Sequence, residues 1–223
     1  MSVSHATEGQ HHNPALQHQF EDLDQQHETY NLGMWTFLVT EVMFFGGLFT
    51  AYAIYRTLYP EAFIEASNHL NLLLSSVNTA VLLCSSLAMA LAVRAAEMGD
   101  KREIIKYLIV TIVLATTFLG LKGVEYYLEY QEHLIPGLNF FFEGPEAAQV
   151  ELFFVLYFVM TGLHAIHMLI GIAVMAIMIF YASRNRFTAD SYEPVEMTGL
   201  YWHFVDLVWV FLFPLLYLVG RHG

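Results

Sequence analysis

Long apolar stretches separated by short polar connections make up the chain after residue 31. Five stretches can be delimited: Leu32–Leu58, Leu72–Ala96, Ile104–Tyr130, Val150–Ala182 and Met197–Gly220. An α-helix needs about 20 residues to cross the roughly 30 Å hydrocarbon layer of a bilayer, and each stretch reaches that length. The pattern therefore predicts an all-α, polytopic membrane protein, a bundle of five transmembrane helices.

Composition supports a membrane domain preceded by a polar tail. The 223 residues are 57% hydrophobic and only 13% charged, a balance that a soluble domain of this size could not bury. Residues 1–31 are rich in His, Gln, Glu and Asp, which predicts a mobile tail, and residues 32–223 form the predicted transmembrane domain. The tail histidines follow no metal-binding spacing, so we interpret them as solvated. The net charge of −12 argues against a nucleic-acid partner.

The distribution of Lys and Arg predicts the orientation of the helices. The side that holds the amino terminus, with the second-to-third and fourth-to-fifth connections, carries Arg94, Lys101, Arg102, Lys106, Arg184 and Arg186. The opposite side carries only Arg56 and Arg221. The positive-inside rule then places the amino terminus in the cytoplasm and the carboxyl terminus outside. We separately expect the membrane to be an inner (plasma) membrane of bacterial type.

Three ionisable residues fall at similar depths in the first and last predicted helices. Counted at 1.5 Å per residue, Glu41 lies about 13 Å from the cytoplasmic end, and His203 and Asp206 lie about 9 and 14 Å deep. His203 and Asp206 are three residues apart and share one helix face. We therefore expect Glu41, His203 and Asp206 to form one polar network, which either fixes helix packing or handles protons.

Other polar residues predict contacts between helices. Small and polar residues of the second helix fall within one narrow arc typical of a helix interface: Ser75, Asn78, Thr79, Ser85 and Ser86. Gly46 and Gly47 suggest a close approach of the first helix. His164 and His167, three residues apart, are explained more simply by interhelical hydrogen bonds than by haem or metal ligation. Trp202 fits interfacial anchoring or packing.

A possible ion pair lies toward the external end of the third helix. Lys122 and Glu125 are spaced to meet on one helix face. Lys122 can extend its stem toward the aqueous side, which favours a solvated pair at the level of the lipid headgroups.

Five segments together resemble subunit III of the haem-copper oxidases, the cytochrome c oxidase family, in its short five-helix form. They are MWTFLVTEVMFFGGLFTAY around Glu41, VNTAVLLCSSLAMA, FLGLKGVEYYLEY, FVMTGLHAIHMLIG and YWHFVDLVWVFLF. They occur in the family's order and cover the chain from about Leu32 to its end. Each segment alone is a weak signal, and the ordered set is specific.

The resemblance implies an accessory subunit without a catalytic centre, beside subunit I of a complex that reduces oxygen to water and pumps protons. It implies that haem and copper lie in partner subunits, including subunits I and II, and that this chain binds no cofactor except phospholipid. Subunit III of this family supports proton uptake, stability and lipid binding. By motif position, Glu41 matches the family's intramembrane glutamate and His203 with Asp206 its polar pair. The further matches are His164, His167, Glu125 and Tyr126.

Two departures from the family pattern and two alternatives bear on this interpretation. The long form of the family has seven helices, and the first two have no counterpart here. Lys122 stands where the family commonly has glutamine.

A quinol oxidase or a nitric oxide reductase has a similar third subunit. The sequence contains no electron-donor site that would distinguish these complexes from a cytochrome c oxidase. A proton-coupled transporter using Glu41, Asp206 and His203 is an alternative of another class.

Overall fold

The computed structural model describes residues 23–184 and 192–219, and the chain forms six helices in these two ranges. The helices are α1 (Leu23–Leu58), α2 (Pro60–His69), α3 (Leu72–Glu97), α4 (Lys101–Gln131), α5 (Ala147–Ser183) and α6 (Glu193–Tyr217). All but α2 are long and apolar enough to cross a membrane. The predicted five-helix membrane bundle is thereby confirmed.

Two boundaries differ from the prediction. Helix α1 begins at Leu23, so the last part of the predicted polar tail is helical, while residues 1–22 lie outside the described ranges. The connection after the first span contains α2, which the sequence analysis missed. Pro60 is the first residue of this helix, and its ring restricts φ to a value that suits a helix. The buried face of α2 consists of Ala62, Phe63, Ala66 and Ser67.

Helix ends are fixed by local chemistry. The Asn71 side chain caps α3 by accepting from the Leu74 amide at 3.1 Å, and Asp100 caps α4 by accepting from the Arg102 and Glu103 amides. Between α3 and α4, Gly99 adopts φ +70°, a left-handed conformation that glycine reaches without steric cost. These caps and the short turn make α3 and α4 an antiparallel hairpin.

Helices α3, α4, α5 and α6 form the centre of the bundle, and α1 lies against its edge. Contacts run from α3 to α4 and α6, and from α5 to α4 and α6, whereas α1 contacts α5, α6 and α2. Half of the most apolar stretch of α6 is buried inside the bundle, compared with 11% for α1. Helix α6 is therefore more enclosed by protein than α1.

Glycines at two helix crossings allow this packing. A Cβ atom at Gly171 would lie 2.8 Å from two ring carbons of Trp202, and one at Gly199 would lie 2.6 Å from Val93 Cγ2. At Gly46 and Gly47, no atom of another described helix lies within 4 Å of the position that a Cβ would take, so the expected close approach of α1 does not occur among the described residues. The close approaches occur where α6 meets α3 and α5.

The carboxyl end of α6 is held by side chains of α1 and α2. The Tyr52 hydroxyl donates to the Leu215 carbonyl at 2.7 Å, and Ser67 Oγ donates to the Leu216 carbonyl at 2.8 Å. The last carbonyls of a helix have no partner within it, so these two bonds satisfy groups that would otherwise be unpaired.

We expect Ser67→Ala to destabilise the chain by about 1 kcal/mol, because it leaves the Leu216 carbonyl unpaired in a buried site. The measurement is the temperature at which the chain unfolds in detergent. Ser183→Ala is the matched control, because the exposed Ser183 hydroxyl bonds only within its own helix, to the Phe180 carbonyl. Equal effects of the two variants would show that the contact between α2 and α6 contributes nothing.

Candidate functional site

Lys122 lies at the centre of a buried cluster in the half of the bundle that carries α2. Its ammonium donates to Glu125 Oε2 at 3.0 Å, to the Tyr157 hydroxyl at 2.9 Å and to the Tyr217 hydroxyl at 2.5 Å. The Tyr217 hydroxyl in turn donates to Glu125 Oε1 at 2.6 Å. All three ammonium protons and both oxygens of Glu125 are thus engaged.

The surroundings of the Lys122 cluster are aromatic and closed to solvent. The ammonium lies 4.7 to 5.5 Å from the ring centres of Tyr126, Tyr157, Trp209 and Tyr217. The side chains of Lys122 and Glu125 are 4% and 3% exposed. The predicted ion pair exists, but the expectation that it is solvated at headgroup level is wrong, because three helices enclose it and replace its water.

Glu129 is a second buried carboxylate beside this cluster. It is 4% exposed and lies against the Tyr157 hydroxyl, with no other hydrogen-bond donor in reach among the described residues. Lys122 has no proton left to donate to it. One cation therefore faces two carboxyl groups in this part of the bundle.

Glu41 is paired with a different residue from the one expected. Its Oε2 lies 3.2 Å from His167 Nε2, and His167 Nδ1 lies 2.8 Å from the carbonyl of Leu163 in its own helix. The side chains of His167 and Glu41 are 14% and 19% exposed. The Tyr201 hydroxyl donates to the His167 carbonyl at 2.9 Å, which ties α6 to the same turn of α5.

His203 and Asp206 form no hydrogen bond with Glu41. His203 Nδ1 lies 2.8 Å from Ser86 Oγ of α3. Asp206 is buried against Ser86, with no other hydrogen-bond partner in reach in the described parts of the chain. The single network of Glu41, His203 and Asp206 is therefore not what the structure shows, because α1 directs Glu41 toward α5 while His203 contacts α3.

His164 and His167 contact different neighbours. His164 is buried between Phe118 and Trp209, whose ring centres lie 5.6 and 5.0 Å from its own. Both of its ring nitrogens lack a hydrogen-bond partner among the described residues. Over the same residues, no three His, Cys, Asp or Glu side chains come together in a group that could hold a metal ion.

The polar stripe of α3 lies where a helix interface was expected. Asn78 donates to the Phe118 carbonyl of α4 at 3.2 Å. Two tryptophans of α6 donate to the same stripe: Trp209 to Thr79 Oγ1 at 3.0 Å and Trp202 to Ser85 Oγ at 3.2 Å. Trp202 is fully buried, so it packs inside the bundle instead of anchoring at the membrane surface.

Comparison with known proteins identifies the family. The sequence model of the family "Cytochrome c oxidase subunit III" matches residues 22–221. The chain belongs to the cytochrome c oxidase subunit III family. A relative from Synechocystis, named cytochrome c oxidase subunit 3, is 35% identical over 84% of this chain and 74% of its own length. A relative of the same name from Thermostichus vulcanus is 31% identical over 85% of this chain and 87% of its own length. The protein from Bos taurus is 30% identical over 94% of this chain and 73% of its own length.

Family membership makes the protein a multi-pass membrane subunit, which forms an oxidase complex with other oxidase subunits. The resemblance drawn from five ordered motifs is confirmed. Within those motifs, sequence reasoning named Glu125 and Lys122 but missed Glu129, Tyr157 and Tyr217 as their neighbours. A signal existed for Glu129, because it follows Glu125 by four residues and so lies on the same face of α4.

Proposed function

We propose that this subunit III is an accessory subunit, without a catalytic centre of its own, that packs beside subunit I of a proton-pumping haem-copper oxidase. The complex would reduce oxygen to water in aerobic respiration, with haem and copper in subunits I and II. The family match over residues 22–221 carries this proposal. The closed centre of the bundle supports it, because Lys122, Glu125, Tyr157 and Tyr217 satisfy one another and suit a rigid scaffold.

Cytochrome c is the electron donor we propose, since the similar proteins carry that name. The test is to purify the complex with this chain in place and to supply reduced cytochrome c or a quinol under oxygen. Rapid oxidation of cytochrome c supports the proposal. Oxidation of quinol alone would assign the chain to a quinol oxidase, and a complex reducing nitric oxide instead of oxygen would assign it to a nitric oxide reductase.

The charge distribution of the connections supports one orientation of the chain in the membrane. We propose an inner plasma membrane of bacterial type with the amino terminus in the cytoplasm and the carboxyl terminus outside. In this arrangement α2 and the Lys122 cluster lie toward the external side. Protease accessibility of a tag at each terminus, in sealed vesicles of known sidedness, tests the assignment.

The contact between Glu41 and His167 is the candidate for the subunit's role in proton uptake or lipid contact. Its two side chains are partly exposed at the edge of the bundle, so both remain accessible to water, lipid or a neighbouring subunit. His203 and Asp206, on the α3 side, are proposed as a separate polar pair that fixes the position of α6.

We expect Glu41→Gln to leave assembly intact and to shorten the time for which the complex sustains turnover. The amide keeps the shape of the side chain but removes the negative charge that pairs with His167, a loss of about 1 kcal/mol or less at a partly exposed site. The measurement is the decay of oxygen consumption during continuous turnover. Glu65→Gln, at an exposed position on α2, is the control. Complete loss of oxygen reduction in a correctly assembled complex would contradict an accessory role.

A further inference from the structure

His164, in the middle of the bundle, carries two polar atoms that no group of the described residues satisfies. Its side chain is buried at 1% exposure, and neither ring nitrogen has a hydrogen-bond partner there. A neutral imidazole offers one N–H donor and one nitrogen acceptor, and burying either without a partner is unfavourable, above all inside a membrane. The sequence predicted interhelical hydrogen bonds for His164 and His167, but only His167 makes one directly, to Glu41.

The His164 side chain extends into the centre of four helices. Helices α3 and α5 each contact α4 and α6 but do not contact each other in the described ranges, so they lie diagonally across this centre. The His164 ring comes from α5 and packs on Phe118 of α4 and on Trp209 of α6, with ring centres 5.6 and 5.0 Å away. The space beside His164 is therefore enclosed by protein.

Asn78 enters the same centre from the opposite helix, α3. It is 1% exposed, and its amide group donates to the Phe118 carbonyl at 3.2 Å, so it lies against a residue that His164 also contacts. Its Oδ1 has no hydrogen-bond partner in the described part of the chain. An acceptor on α3 and a donor-acceptor ring on α5 are thus both unpaired next to Phe118.

The polar side chains nearest to these two residues along the helices are already engaged. Lys122 uses its three protons within its own cluster. The Thr161 hydroxyl donates to the Tyr157 carbonyl at 2.6 Å, and the Thr79 hydroxyl donates to the Ser75 carbonyl at 2.8 Å. Each hydroxyl has one proton, so none of these groups has a donor left. A small molecule that both donates and accepts is needed, and water is the one that buried polar sites usually hold.

We propose that the centre of the bundle binds an ordered water molecule that bridges a ring nitrogen of His164 to Oδ1 of Asn78. Water can donate to Oδ1 and can either donate to the bare ring nitrogen or accept from the ring N–H. The bridge links α5 to α3 across the diagonal, where these helices have no direct contact among the described residues. The water is then a structural part of the bundle, and its presence does not depend on which donor the oxidase complex uses.

High-resolution cryo-electron microscopy of the purified oxidase complex tests the proposal directly. We expect a density peak about 2.7–3.2 Å from both a ring nitrogen of His164 and Oδ1 of Asn78. We expect no peak in His164→Phe, because the phenyl ring has a similar shape but no polar atom. A wild-type map that shows other buried waters but none at this place would overturn the proposal.

The thermal midpoint of the assembled complex gives an independent test. If His164 were dry, His164→Phe would remove two unpaired polar atoms and raise the midpoint, whereas loss of a water bridge should lower it. Asn78→Leu removes the other end of the bridge. Because either change alone breaks the bridge, the double variant should lose less than the sum of the two single losses. A raised midpoint in His164→Phe, or additive losses, would contradict the bridge.

Thr79→Val is the matched control for this double variant. Thr79 is next to Asn78 on α3 and accepts from Trp209 at 3.0 Å, so it also touches a ring that packs on His164. We expect Thr79→Val and His164→Phe to have additive effects. Coupling as large as that with Asn78 would show that the rings transmit it and would overturn the water bridge. If the variants fail to assemble, the wild-type map alone decides.

Discussion

Replacing Lys122 by Met should be among the most damaging single changes in the bundle, with a loss of about 3–5 kcal/mol in stability. The substitution removes the cation from a site where Glu125 is 3% exposed and leaves that carboxylate without its charged partner. It also removes the donor to Tyr157 and Tyr217. The measurement is the fraction of chain that assembles into the complex, followed by its thermal dissociation.

The same helix supplies a matched control for Lys122. Lys106 also pairs with a glutamate three residues away, Glu103, at 3.0 Å, but the two side chains are 59% and 39% exposed. Water and salt screen such a pair, so Lys106→Met should have little effect on stability. Similar losses for the two variants would mean that burial does not determine the strength of the Lys122 contact.

A double variant separates the charge from the packing. Lys122→Met combined with Glu125→Gln removes both charges, so no uncompensated carboxylate remains. We expect the double variant to recover part of the stability lost in Lys122→Met alone. A further loss in the double variant would show that Glu125 is stabilised mainly by Tyr217 and not by Lys122.

Gly171→Ala is expected to lower stability by about 1–3 kcal/mol, the usual cost of overpacking a closed core. The added methyl group would lie 2.8 Å from Cε3 and Cζ3 of Trp202 and 3.3 Å from Cε1 of Tyr201. Trp202 has little freedom to move away, because it is fully buried and its indole N–H donates to Ser85. The measurement is the thermal midpoint of the assembled complex.

Gly46→Ala tests the same chemical change where space is available. Among the described residues, no atom of another helix lies within 4 Å of a Cβ at Gly46, and alanine favours a helix over glycine by about 1 kcal/mol. We therefore expect unchanged or raised stability. A loss at Gly46 as large as that at Gly171 would contradict the assignment of the close approaches to α6.

Patterns along one helix predicted a large part of this molecule. Runs of apolar residues located all five spans, and the arc of small and polar residues on the second span predicted an interface that Asn78, Thr79 and Ser85 make with α4 and α6. These features depend on helix length and on the period of 3.6 residues, both of which are local properties. Helix α2 was missed because ten residues with three buried apolar side chains give a weak periodic signal.

Partners between helices were predicted less well, and the polar residues show why. Depth could be counted from the rise per residue, and it placed Glu41 level with Asp206. Depth does not give the rotation of α1 about its axis, and that rotation brings Glu41 to His167. Lys122 was misplaced for the same reason, because the tyrosines that enclose it come from α5 and α6.

The sequence by itself determined the number of spans, the polar faces of the helices and the family, because each of these is written in local periodicity or in the order of motifs. Only the tertiary structure decided which polar groups meet. It paired Glu41 with His167, enclosed Lys122 with Glu125, and left Glu129 facing a cavity. The physical reason is that helix rotation and neighbour choice are set by the packing of all the helices together, through contacts such as that of Gly171 with Trp202.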